Sequence, residues 1–170
     1  MMGIMTGSDV AEWANFGIVA GTAAATLAGL LFVAVTLRIE SIVNTSDLRY
    51  RAAQTLTLFI TVLILSMLLV IPRQALPALG VEIIVVAAVA GTALAILDHR
   101  ASSATRPNSL ARTIDIVSLT LTAVTLVAVS GVACAAGREW GLYVLVPGVI
   151  AALVSGVINA WLFLVRPPSG

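Results

Sequence analysis

The chain has 170 residues, of which 60% are hydrophobic and 10% charged, and its mean hydropathy is +1.10; a soluble globular domain holds roughly 45 to 50% apolar residues. Five membrane spans of about 20 residues would absorb almost the whole apolar inventory, which leaves little for a separate soluble core and excludes a soluble enzyme. A net charge of +1 gives no electrostatic drive toward nucleic acid, and one Cys, one His and eight carboxylates exclude a disulfide framework and supply too few ligands for a Cys/His metal site.

Met1 to Ala14 holds no cation and carries Asp9 and Glu12 at the spacing of a helix start. A cleavable signal needs a basic segment before a short apolar core, so the first apolar run, Ala14 to Leu37, is expected to stay as a span. Asn44, Thr45, Ser46 and Asp47 cap the second, Ala52 to Ile71, which Pro72 and Pro77 end. Gly80 precedes the third, Val81 to Leu97, whose 17 residues barely cross about 30 Å of hydrocarbon and predict a nearly upright helix. Arg106-Pro107-Asn108-Ser109 separates it from the fourth, Thr113 to Ala136, which Gly137 follows. The fifth, Leu142 to Val165, contains Pro147 one turn in, where the helix begins or is kinked.

Backbone groups cannot stay unpaired in lipid, and the runs lack the alternation of a membrane barrel. The expected fold is therefore all-α, a bundle of five transmembrane helices forming a single domain over residues 1–170. Loop cations set its orientation. Arg38, Arg49, Arg51, Arg100, Arg106, Arg112 and Arg166 fall on one side, Arg73 and Arg138 on the other, which predicts an N-terminus outside and a C-terminus inside. Trp13, Trp140 and Tyr143 at the outer boundary and Tyr50 at the inner one agree.

No ionisable residue falls near a midplane: Glu82 is at the outer end of span three, Asp115 at the inner end of span four. Proton- or ion-coupled transport usually needs one there. His99 reads as a solvated residue of an Arg-containing inner loop, and Cys134 as a small packing residue with no base beside it. Asp115, Ser118, Thr122 and Thr125 share one face of span four, Gln54, Thr57 and Thr61 one face of span two, and Asn159 lies at a comparable depth in span five. They describe either a polar vestibule opening to the cytoplasm or, more plainly, hydrogen bonds between helices and back to their own helix, each worth about 0.6 to 2 kcal/mol.

Small residues recur every four positions: Gly17, Gly21, Ala25 and Gly29 in span one, Ala87, Gly91 and Ala95 in span three, Gly148, Ala152, Gly156 and Ala160 in span five. Such ladders let helices approach closely, which in lipid replaces the missing hydrophobic drive. Span two has none and is rich in Leu and Ile, so more of its surface is expected to face lipid.

Trp13, Phe16, the run Gly29-Leu30-Leu31-Phe32-Val33-Ala34-Val35-Thr36-Leu37-Arg38-Ile39, Ile71-Pro72-Arg73-Gln74 with Ala78-Leu79-Gly80-Val81-Glu82, and Asn159-Ala160-Trp161 resemble a widespread family of small bacterial, largely actinobacterial, integral membrane proteins. Members are sometimes named modulators of the FtsH membrane protease. The resemblance implies a multi-pass protein of the bacterial inner membrane and brings no catalytic residues.

Three functions compete. The favoured one is a non-catalytic accessory or regulatory membrane protein, without cofactor or metal, packing against itself or a larger complex such as a membrane protease. The alternative is a homo-oligomeric channel or small transporter with the Thr-lined vestibule. An intramembrane enzyme is disfavoured: neither an H-E-x-x-H nor a G-x-S-x-G motif occurs, and Asp115 and Glu82 belong to opposite ends.

Overall fold

A computed structural model describes the backbone of residues 13–37, 46–104 and 110–165, and the side chains of 13–37, 49–100 and 119–161. Among the described residues there are five helices and no strand: α1 (Ala14–Leu37), α2 (Ser46–Val70), α3 (Leu76–Ala104), α4 (Leu110–Ala135) and α5 (Trp140–Val165). Stretches of α1, α2, α3 and α5 are long and apolar enough to cross a bilayer, and Leu119–Ala135 of α4 is a shorter apolar segment. The chain is thus a helical-bundle membrane protein. A helix closes all its backbone hydrogen bonds within one segment, which is why uninterrupted apolar runs fold this way. The expected start signal at Asp9 and Glu12, Asn44 and Thr45, the loop Arg106-Pro107-Asn108-Ser109, and Arg38 and Arg166 lie outside the described residues, as do the side chains of Ser46, Asp47, Arg112, Asp115 and Ser118.

The helices outrun the apolar runs. α3 has 29 residues and begins at Leu76, so Pro77 sits in its first turn and Gly80 inside it. Proline is at home there, because the first-turn N–H groups have no intrahelical acceptor. The expected limits of the third span are corrected: the mostly apolar Leu76 to Gly80 extends the helix before Val81, and the helix runs past Leu97 to Ala104. Pro147 likewise lies inside α5, which starts at Trp140, and without an N–H it leaves the Tyr143 carbonyl lacking its usual donor. Gly137 (φ 71°) ends α4 in the left-handed region, with Gly137 N–H donating to Cys134 O (2.9 Å) and Arg138 N–H to Ala133 O (2.8 Å). That bond pair is a Schellman cap.

Helices α2, α3, α4 and α5 pack each on the next, and α5 returns to α2, closing a four-helix bundle; α1 lies outside it, along α2, and meets α5 only briefly. The expectation that span two faces lipid is therefore reversed. Leu58, Phe59, Val62, Leu65 and Leu69 are all at most 2% exposed. Large side chains on α2 fill the gaps between three neighbours, whereas small residues on those neighbours admit them; absence of a small-residue ladder marks the central helix.

Glycines position the contacts. A Cβ on Gly80 would meet the Cα of Ala135 at 2.6 Å, one on Gly131 the Cγ1 of Ile84 at 2.9 Å, and one on Gly141 the Sγ of Cys134 at 2.7 Å. These contacts join α3, α4 and α5 where Trp13 also stacks edge-on against Tyr143, with ring centroids 5.0 Å apart. At this tryptophan end Arg73 and Arg138 sit in the connections, and Gln74 Nε2 donates to Glu82 Oε2, tying the α2–α3 loop to α3. Arg49, Arg51 and Arg100 belong to the opposite, arginine end.

Candidate functional site

Close packing at the tryptophan end relaxes toward the arginine end, where a cavity of about 310 Å³ opens between four helices. Gln54 of α2, Gly91, Leu94, Ala95, Asp98 and His99 of α3, Thr120, Leu121 and Val124 of α4, and Asn159 of α5 line it. On α3 the lining follows one helical face, since Gly91, Leu94, Ala95 and Asp98 stand three, four and seven residues apart. Small side chains at Gly91 and Ala95 leave the space. A Cβ on Gly91 would still reach Val124 Cγ1 at 3.3 Å, so this residue both packs and borders the void.

The cavity is amphipathic. Leu94, Leu121 and Val124 form its apolar wall, while Gln54, Asp98, His99, Thr120 and Asn159 bring two carboxamides, a carboxylate, an imidazole and a hydroxyl. Thr120 Oγ1 lies 2.8 Å from Ser155 Oγ, and Ser155 is fully buried, so this pair fixes α4 against α5 beneath the cavity. Asn159 is 4% exposed and brings its carboxamide to the cavity from α5. Ala95, His99 and Leu121 are exposed and mark a rim between α3 and α4; Asp98 is half-buried.

The vestibule expected from the sequence is only partly assembled. Gln54 and Asn159 do face one cavity. Thr57 and Thr61 donate to Ala53 O (2.8 Å) and Thr57 O (2.7 Å) of their own helix and do not line it. Thr122 and Thr125 are exposed on the outside of α4, so the proposed polar face of that span is corrected: Thr120, two residues from Thr122 and so on the other side of the helix, is the one turned inward. Asp115 and Ser118 belong to α4, but their side chains lie outside the described set. His99 is a residue of α3, not of a loop. Asp98, one turn beyond Leu94 and two beyond Gly91, joins this lining from the end of the apolar run, where its position alone does not mark it.

The small-residue ladders separate in the same way. In α5 Gly148 packs on Leu126 and Val127, each 3.2 Å from a would-be Cβ, Ala152 is buried, Gly156 receives the Phe59 ring, and Ala160 is half-buried. Ala87 of α3 is buried. In α1, Gly17 and Gly21 pack on Ser66 of α2, but Ala25 is exposed and Gly29 has nothing within 4 Å of a Cβ position. Four residues turn a helix by about 400°, so each step of the ladder drifts about 40° around the axis and Gly29 lies about 120° from Gly17. Contact with α2 instead follows Gly17, Ala24 and Leu31, the seven-residue repeat of a left-handed crossing, with Ala20 between. No family model, no curated protein and no solved structure matches the chain.

Proposed function

We propose that this chain is a five-span, non-catalytic accessory protein of the bacterial inner membrane, N-terminus outside and C-terminus inside, that docks through the outward face of α1 onto another transmembrane helix. The partner helix comes from a second copy of the chain or from a larger membrane complex, of which a membrane protease is the candidate suggested by the sequence resemblance. One observation carries the reading: Thr22, Ala25, Thr26 and Gly29 form an outward face of small side chains on a helix held to the bundle by its other side. Thr22 and Thr26 donate to Ile18 O (2.7 Å) and Thr22 O (2.8 Å), so neither hydroxyl is left unpaired in an apolar contact. Small residues bring helix backbones close enough for dispersion to hold them in lipid. Ile18, Val19, Leu30 and Val33 are exposed on either side of this small stripe, and the outward faces of α2 and α5 carry Ile60, Ile64 and Met67, and Ile150, Val154 and Val157.

The alternative of a pore has less to support it within one chain, because Leu65, Leu69, Leu79, Ile83, Leu142 and Leu145 are buried to 2% exposure or less between the cavity and the tryptophan end. Arg73 and Arg138 at one end, against Arg49, Arg51 and Arg100 at the other, support the orientation. The test compares two glycines. The wild-type chain should self-assemble in lipid nanodiscs by mass measurement, and Gly29→Leu should abolish that assembly with the melting temperature in detergent unchanged; Gly21→Leu, whose Cβ alone would lie 3.0 Å from Ser66 Cβ, should lower the melting temperature. Intact assembly in Gly29→Leu would defeat the docking reading.

A further inference from the structure

We propose that the cavity among α2, α3, α4 and α5 is a binding site for a small amphiphilic amine, an ammonium group carried on a short apolar body. This inference stands apart from the docking face, which lies on α1. The volume of about 310 Å³ falls at the lower end of small-molecule pockets, about 300 to 1,000 Å³. It is about ten times the share of one water molecule, about 30 Å³, so a single inorganic ion would leave it mostly empty.

The lining sets the charge and shape of the occupant. Asp98 is the one carboxylate among the described lining residues, and no Arg or Lys is among them, so a cation is favoured over an anion. Oxygen acceptors from Gln54, Thr120 and Asn159 stand around the same space, and an ammonium offers three donors to such groups. Asn159, more than nine-tenths buried, turns its carboxamide toward the same space from α5. Leu94, Leu121 and Val124 supply the surface for an apolar body. The exposed rim of Ala95, His99 and Leu121 opens between α3 and α4, and a ligand with a polar head and an apolar body can enter there from the membrane or from water. The chemistry is shared by free arylalkyl- or alkylamines and by an amine-bearing lipid headgroup.

The experiment titrates the full chain in dodecyl maltoside with phenethylamine, 2-phenylethanol and 3-phenylpropanoate, subtracting blank micelles. Phenethylamine should saturate at one per chain and bind at least tenfold more tightly than the neutral and anionic probes. Asp98→Asn should weaken it at least tenfold, and Ala95→Phe, at an exposed rim position where folding tolerates bulk, should remove it. Both variants should keep the wild-type melting temperature, and Val132→Ala, exposed on α4 away from the cavity, should bind as wild type. Competition by phosphatidylethanolamine but not phosphatidylglycerol would support the site with a lipid headgroup as its source; competition by neither would support it with a soluble amine. Absence of saturable phenethylamine binding, equal binding of the three probes, or wild-type affinity in both Asp98→Asn and Ala95→Phe would overturn the proposal.

Discussion

Gly80 of α3 and Ala135 of α4 cross backbone on backbone: a Cβ on Gly80 would fall on the Ala135 amide nitrogen and 2.6 Å from its Cα. No flexible side chain is there to give way, so any larger residue must part the helices. Gly80→Ala is expected to lower the melting temperature in detergent strongly, by the equivalent of at least about 1 to 3 kcal/mol. Gly137→Ala meets no atom within 4 Å, and bears only the cost of φ 71°, about 1 to 2 kcal/mol. A Gly80→Ala protein as stable as the wild type would contradict this crossing.

Gly156 and Phe59 make a second, softer fit. A Cβ on Gly156 would stand 2.5 Å from Phe59 Cε1, and the ring is 1% exposed with nowhere to swing. Gly156→Ala should therefore destabilise, and Phe59→Leu, which removes the far edge of the ring, should restore part of the loss. Thermal unfolding of the two single variants and the double variant would show this as a favourable coupling of about 0.5 to 3 kcal/mol; strict additivity would contradict it.

Position on α2 decides the cost of losing a large side chain. Leu58 is 2% exposed and Met67 66% exposed. Leu58→Ala opens a hole among α2 and its neighbours and should cost about 2 kcal/mol or more, whereas Met67→Ala trades contacts with lipid for other contacts with lipid and should be nearly silent. Equal melting temperatures would place α2 at the periphery.

The proposed orientation can be read by thiol labelling in intact cells, in a Cys134→Ala background. Arg73→Cys and Arg138→Cys, both exposed at the tryptophan end, should react with an impermeant reagent from outside, and Arg100→Cys should not. Labelling of Arg100→Cys alone would invert the orientation.

Runs of apolar residues made the five helices and their approximate limits legible, because in lipid the backbone has no other way to satisfy itself. Helix ends were less so: Leu76 to Gly80 and the residues after Leu97 are helical for reasons of capping and continuation that hydropathy does not carry. Burial was misread where it depended on neighbours. Leu58 and Leu65 look like lipid-facing residues until three other helices surround them. Within the cavity, Gln54 and Asn159 were recognisable as polar residues at similar depth, but which threonine of α4 turns inward depends on helix rotation, and Thr122 is two residues, about 200°, away from Thr120. The glycines that matter most, Gly80, Gly131 and Gly141, belong to no four-residue ladder, since each serves a single crossing point.

Gly29 gives the most direct test of the docking face. In native membranes, with Cys134→Ala, oxidation of a Gly29→Cys protein should yield a cross-linked species of higher mass, while Val154→Cys, exposed on the bulkier face of α5, should stay monomeric. A monomer at both positions, or equal cross-linking at both, would contradict docking of a second copy through α1.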